Sequence, residues 1–272
     1  WSRSLEKNRE RIASWARSST VACVRLKARA VEAAPGADDE ARLRSAITDT
    51  PDADEPRLVY ADWLMERGDV RGELIRLQCA LEATGEGGHE ARSRVNAILT
   101  ASWTNLAGPA APYAELTSFK RGFVDRVTMT VPAFFKHGEA LFSAEPIRRL
   151  VVDAPRFTER DLVRLGQAEA LVRVRNLELA QLHPDAAPRR PLAALARSTR
   201  LTGLRGLSLD FCGESPADWG AFFGTLNAPA LEQVRLHYNH GSAELYRALA
   251  TNPSLARLRS IREYRFAELD GP

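Results

Sequence analysis

The chain has 272 residues, which is long enough for one or two domains with a sizeable core. Its hydrophobic content of 44% and charged content of 27% are typical of a globular protein. Three widely spaced cysteines form neither a disulfide framework nor a Cys-x-x-Cys zinc motif, so a reducing compartment, the cytoplasm, is expected. No apolar run approaches the roughly 18 residues of a membrane span, so no such span is expected.

The net charge of +3 is unevenly distributed along the chain. Residues 1–37 carry eight basic residues against three glutamates, whereas residues 38–90 carry six arginines against fourteen acidic residues. An acidic segment between two basic ones predicts either segments with different partners or segments that face each other in the fold.

Residues 1–36 are predicted to be a basic helical extension. Apolar residues from Leu5 to Ala30 recur at helical spacing, and Pro35 with Gly36 ends the pattern. The first interpretation is a helix that packs on the next domain. The alternatives are a basic face for nucleic acid or a membrane surface, and an appendage of a preceding domain. The basic face would carry Arg9, Arg11, Arg17, Arg25, Lys27 and Arg29.

Residues 37–110 are predicted to be helical. Pro56 suits a first helical position, Gly68 suits the left-handed position that ends a helix, and Asp69 suits the cap of the next helix. Two helices joined at Gly68 would form a hairpin. Its first helix would place Leu58, Ala61, Leu64 and Met65 on its apolar face, and its second Leu74, Leu77 and Leu81.

The hairpin sequence is specific enough to suggest a family. Residues 57–64 read RLVYADWL, residues 66–69 read ERGD and residues 71–78 read RGELIRLQ. This pattern resembles the repeat-companion domain of myxobacteria and planctomycetes over residues 38–83, and residues 119–127 and 141–150 are similar to segments that follow that domain. The resemblance implies a helical domain beside leucine-rich repeats, and it implies no activity.

The rest of the chain, residues 111–272, contains repeated short apolar motifs. Residues 204–212 read LRGLSLDFC and residues 231–239 read LEQVRLHYN, which resemble the leucine-rich repeat pattern LxxLxLxxN/C. Weaker copies follow the same pattern. The copies begin at Val124, Ile147, Val174, Leu204, Leu231 and Leu255, at spacings of 23, 27, 30, 27 and 24 residues.

The fold class predicted from these repeats is α/β. Each copy supplies a strand with apolar residues in a period of two, and a helical segment follows each strand. The helical region would cap a short leucine-rich-repeat solenoid, with parallel strands on the concave face and helices on the convex face. The helical segments are predicted at 132–144, 158–171, 191–198, 216–226 and 242–250.

Catalytic and metal chemistry finds little support in the sequence. Asp62, Glu66, Asp69 and Glu73 step along helices by three or four residues, which is typical of a solvated face. His237, His240 and Cys212 could be imagined around a zinc ion, but Cys212 occupies the inward position of a repeat. No nucleophile elbow, phosphate-binding loop or dinucleotide fingerprint is present. No enzymatic activity, cofactor or metal is therefore expected.

The predicted function is a non-enzymatic protein-protein interaction module, of the kind that serves as a regulatory or targeting part of a larger assembly. The alternatives are a nucleic-acid-binding accessory protein that acts through the basic extension, and a regulatory subunit of a partner enzyme. A repeat protein most often binds its partner with the concave face of its sheet. The residues predicted to contact the partner there are Arg126, Arg149, Asp153, Glu178, Asp210, Arg235 and His237.

Overall fold

The fold is taken from a computed structural model, which describes residues 37–84, 88–154, 157–180, 191–210, 216–237 and 242–264. The chain divides into two compact units, Trp1–Asp39 and Glu40–Pro272. The predicted extension over residues 1–36 lies outside the described residues, as do Cys212 and His240. None of the helices in the described ranges is both long and apolar enough to cross a membrane.

In the described residues from 37 onward, four helices precede the first strand. They are α1 (Ala37–Asp49), α2 (Glu55–Met65), α3 (Val70–Thr84) and α4 (His89–Ala107). The hairpin of α2 and α3 is confirmed: Gly68 has the left-handed φ of 71°, and the Asp69 carboxylate accepts a hydrogen bond of 2.8 Å from the backbone N–H of Arg71. Short 3-10 turns at Gly108–Tyr113 and Leu116–Ser118 lead into the strands.

A two-stranded antiparallel ribbon comes first, formed by β1 (Phe119–Lys120) and β2 (Phe123–Val124). A six-stranded parallel sheet follows, whose strands lie in chain order. The strands are β3 (Arg126–Thr130), β4 (Arg149–Asp153), β5 (Asn176–Ala180), β6 (Gly206–Asp210), β7 (Gln233–His237) and β8 (Ser260–Tyr264).

A helix lies in each connection between neighbouring strands of this sheet. The helices are α5 (Val131–Ala144), α6 (Glu159–Gln167), α7 (Pro191–Ala196), α8 (Pro216–Thr225) and α9 (Ala243–Thr251). The α/β class is thus confirmed, with a parallel sheet built from strands alternating with helices. Thr130, Thr158 and Ser242 cap three of these helices, each accepting a hydrogen bond from the first turn.

The strands are in register, so like residues form rows across the sheet. Val127 lies beside Leu150, and the same row continues through Leu177, Leu207 and Val234. Each of these five side chains is at most 2% exposed. A second buried row runs through Met129, Val152, Leu179, Leu209 and Leu236, so one face of the sheet forms the core against the helices.

One backbone pattern holds each strand to the next. The carbonyl of Asp125, directly before β3, accepts hydrogen bonds of 2.9 and 2.8 Å from the N–H groups of Arg148 and Arg149. The residue directly before each of β4, β5, β6 and β7 likewise accepts two bonds, one from the residue before the neighbouring later strand and one from the first residue of that strand. In the connection between β7 and β8, the buried Asn252 donates to the carbonyls of Phe223 and Leu226, which satisfies polar groups of the preceding connection.

Two expectations about this architecture were wrong. Leu58 and Met65 do not belong to the buried face of α2, since they are 39% and 45% exposed. The helix buries Arg57 and Tyr60 instead. The last copy of the repeat does not begin at Leu255, which lies in the 3-10 turn Pro253–Leu255.

The last copy begins three residues later, at Leu258. The first five strands begin two residues after the first apolar residue of their copy, and β8 begins at Ser260, two residues after Leu258. The distance from the first apolar residue of a copy to the start of its strand is therefore the same, two residues, for all six strands of the sheet.

Substitution of a residue in the buried row tests the register. Leu207→Ala should lower the free energy of unfolding by about 2–5 kcal/mol, because Leu207 is 2% exposed and its truncation leaves a cavity. Leu58→Ala is the matched control, and at 39% exposure it should cost about 0.5 kcal/mol or less. Urea denaturation measures both, and equal losses would place Leu207 outside the core.

Candidate functional site

The face of the sheet opposite the core is the candidate site, and we call it the open face. Its side chains alternate with the buried rows along β3 to β7, whereas on β8 the alternate residue Ile261 is 38% exposed. The seven residues predicted to bind a partner all lie on it. Across the six strands the open face carries Arg126, Thr128, Thr130, Arg149, Val151, Asp153, Asn176, Glu178, Ala180, Gly206, Ser208, Asp210, Gln233, Arg235, His237, Ser260, Arg262 and Tyr264.

Internal ion pairs hold the arginines of the first two strands. The Arg149 Nε lies 2.5 Å from a carboxylate oxygen of Asp125, whose side chain is only 11% exposed. The Arg126 guanidinium lies 4.0 Å from the carboxylate of Glu178, two strands away, and Val151 between them is buried. Arg126 and Arg149 therefore each have an acidic neighbour within the protein itself.

The middle strands leave room between larger side chains. Gly206 has no side chain, and a Cβ placed there would lie 2.3 Å from the amide oxygen of Asn176 on the neighbouring strand. Because Gly206 has no Cβ, the side-chain amide of Asn176 can occupy the space above it on the open face. Ser208 follows on the same strand and adds only a small hydroxyl.

Titratable groups gather at the carboxyl ends of three strands. Asp210 is the register partner of His237, and His237 is the register partner of Tyr264. The imidazole of His237 stacks on the Tyr264 ring with a centroid separation of 4.5 Å and an interplanar angle of 21°. Partial burial raises the pKa of Asp210, the charge of Glu178 adds to the rise, and His237 opposes it.

The last two strands carry two arginines that have no acidic partner in the described part of the chain. Arg235 and Arg262 are register neighbours, and both are exposed. The one side-chain hydrogen bond described for Arg235 goes to the amide oxygen of Gln233, at 3.4 Å. The prediction named Arg235 and missed Arg262 and Tyr264, because the last copy of the repeat was placed three residues too early.

Groups with catalytic or metal-binding potential are sparse in the described ranges. No group of three or more His, Cys, Asp and Glu side chains that could hold a metal ion occurs there. Cys79 is buried, and burial raises the pKa of its thiol to about 11. This thiol is therefore protonated at neutral pH and lacks the charge of a reactive thiolate.

A second polar cluster lies where the helices meet the β1–β2 ribbon. The guanidinium groups of Arg44, Arg57 and Arg71 lie 6.0, 5.8 and 5.3 Å from the centre of the Phe123 ring. Phe123 is 1% exposed and stacks on Tyr60. The cluster is therefore part of the interior.

The buried carboxylate of Glu145 neutralises part of this cluster. Its Oε1 accepts a hydrogen bond of 2.9 Å from Arg44 and lies 4.0 Å from Arg71, and its Oε2 accepts one of 3.3 Å from the N–H of Val124. Arg71 also donates to the carbonyls of Gly122 and Leu106. These bonds join α1 and α3 to the start of the sheet, which indicates a structural role.

A comparison of the chain with protein-family models, with curated proteins and with solved structures found no match.

The two kinds of arginine on the open face should differ in their effect on stability. Arg149→Gln leaves the nearly buried Asp125 carboxylate without its cation, so it should lower the free energy of unfolding by about 1–3 kcal/mol. Arg235→Gln is the matched control on the same face, and it should change stability by no more than about 0.5 kcal/mol. Thermal and urea denaturation measure both, and an Arg149 variant as stable as the Arg235 variant would contradict the ion pair.

Proposed function

We propose that this chain is a non-enzymatic protein-protein interaction module that binds its partner with the open face of the sheet. The observation that carries the proposal is the one-sided sheet, whose alternate residues form a core on one face and a polar, accessible surface on the other. A sheet held by regular hydrogen bonds presents its side chains with little loss of ordering entropy on binding. The module would act as a regulatory or targeting part of a larger assembly in the cytoplasm.

In this proposal the sheet is a leucine-rich-repeat solenoid with the strands on its concave face. Three observations support that assignment. The strands lie in chain order, a helix lies in each connection, and leucine or a similar residue recurs at the same position of each strand. A repeat of this kind cannot bury its apolar face alone, so stacking of repeats accounts for the two buried rows.

The resemblance to the repeat-companion domain supports the same proposal for the helices. The motif residues Arg57, Tyr60, Arg71 and Gln78 lie together, and Gln78 accepts a hydrogen bond of 2.7 Å from the N–H of Gly122. The segments that resemble the family, around α2, α3 and the β1–β2 ribbon, thus pack on one another. A domain of this type would close the first repeat and protect its apolar edge.

The proposal is tested by blocking the centre of the open face. Ser208→Trp places a bulky ring among the open-face side chains, whereas the matched control Ser143→Trp places the same ring at an exposed position of α5. Each tagged full-length chain is used for affinity capture from the native host, with quantitative mass spectrometry. Ser208→Trp should abolish capture of the specific partner, and Ser143→Trp should leave it unchanged.

Two outcomes would contradict the proposal. Equal capture by wild type and Ser208→Trp would mean that the partner binds elsewhere. Capture that disappears on nuclease treatment and on deletion of residues 1–36 would favour the alternative of nucleic-acid binding through the basic extension.

A further inference from the structure

The strongest unused feature of the open face is the pair of arginines on β7 and β8. Arg235 and Arg262 are register partners on adjacent parallel strands, which lie about 4.8 Å apart. Like charges placed side by side repel each other and disfavour the folded sheet. Such a pair therefore costs stability unless a negative charge lies nearby.

The carboxylates on the same face are directed elsewhere. Glu178 lies 4.0 Å from Arg126, and Asp210 is opposite His237 in the register. Glu263, next to Arg262 in sequence, belongs to the other face of the sheet and accepts a hydrogen bond from the Tyr246 hydroxyl. Among the ion pairs of the described residues, none joins an acidic side chain to Arg235 or Arg262.

The surroundings of the pair add to its positive potential. Residues 231–237 and 242–264 contain five arginines, at positions 235, 247, 257, 259 and 262, and three glutamates, at positions 232, 244 and 263. The five arginines are all exposed, so the described part of these last repeats presents an excess of positive charge to solvent. A negatively charged ligand is favoured here on electrostatic grounds.

The shape and side chains of the patch favour a protein segment as that ligand. The patch is one surface of a sheet that also offers Tyr264, 41% exposed and stacked on His237, and tyrosine and arginine are the residues that most often dominate protein interfaces. A guanidinium group can donate two parallel hydrogen bonds to one carboxylate, so two arginines can hold two acidic side chains.

A polyanion such as nucleic acid fits the face less well. Asp153, Glu178 and Asp210 lie on the three strands before β7 and interrupt any continuous basic stripe across the sheet. A phosphate backbone that crossed these strands would meet negative charge, whereas a short acidic segment confined to β7 and β8 would not.

We infer that Arg235 and Arg262, together with the stacked His237 and Tyr264, bind an acidic segment of a partner protein through its carboxylate side chains. This inference rests on the proposed function, because it assigns the kind of partner that the open face recognises. It also gives Arg262 and Tyr264 a role that the sequence repeats did not indicate.

The test uses a defined acidic probe and the full chain. The probe is a fluorescein-labelled synthetic peptide in which glutamate alternates with threonine, so that an extended conformation places every carboxylate on one side. Its control is the same peptide with glutamine for each glutamate. Fluorescence anisotropy at low and at physiological salt should detect binding of the acidic peptide, weaker at the higher salt, and no binding of the glutamine peptide.

Variants locate the binding site. Arg235→Gln combined with Arg262→Gln should weaken peptide binding at least about tenfold, because both carboxylate contacts are lost. The matched control combines Arg247→Gln with Arg257→Gln, which removes the same charge from exposed arginines outside the open-face rows, and it should retain most of the affinity. Circular dichroism and thermal melting verify that both double variants are folded.

Three results would overturn the inference. The first is that the wild type does not bind the acidic peptide, and the second is that the two double variants lose binding equally. The third is that the wild type binds single-stranded DNA more tightly than the peptide, and that the Arg235→Gln, Arg262→Gln variant loses this DNA binding. Each can occur while Ser208→Trp still abolishes partner capture, which would leave the proposed function in place with a different kind of partner. Loss of the Ser208→Trp effect would count against the proposed function itself.

Discussion

The common register of the six parallel strands is the constraint on which the rest of this structure depends. The residue before each of β3 to β7 accepts two hydrogen bonds, from the residue before the next strand and from that strand's first residue, so neighbouring strands start in register. The period of two then places leucines and valines in buried rows and polar residues in open rows. A shift of one residue in any strand would exchange the two faces, placing charges such as Glu178 in the core.

The helices before the sheet depend on charge pairing as well as on apolar packing. The acidic segment that the sequence places at residues 38–90 meets arginines from beyond it: Asp52 lies 3.4 Å from Arg148, and Glu73 lies 2.6 Å from Arg94. Arg121 lies within 3.1 Å of both Asp54 and Glu82. The expectation that oppositely charged segments face each other is confirmed for this part of the chain. Exposed pairs of this kind contribute little stability individually.

The fold was largely predictable from the sequence because its signals are local and repeated. An apolar pattern recurring at near-constant spacing placed the first five strands, and Gly68 and Asp69 marked the turn of the hairpin. The errors arose where long-range contacts decide. Tyr60 and Arg57 are buried because Phe123, distant in sequence, packs against them, and no local pattern encodes that contact. The start of the last copy was predicted wrongly because Leu255 and Leu258 both fit the first position of the pattern. Only the pairing of β8 with β7 selects Leu258.

Because the last copy was placed at Leu255, the prediction also missed Arg262 and Tyr264, which distinguish one end of the open face from the other. At the β3 end the arginines lie beside Asp125 and Glu178, and the pair that includes the nearly buried Asp125 contributes to the fold. At the β8 end Glu263 occupies the position that Leu236 fills one strand earlier, and it accepts a hydrogen bond from the Tyr246 hydroxyl. Among the ion pairs of the described residues, none involves the two arginines of that end. Because unmatched like charges oppose folding, their retention beside an exposed tyrosine is more readily explained by recognition than by stability.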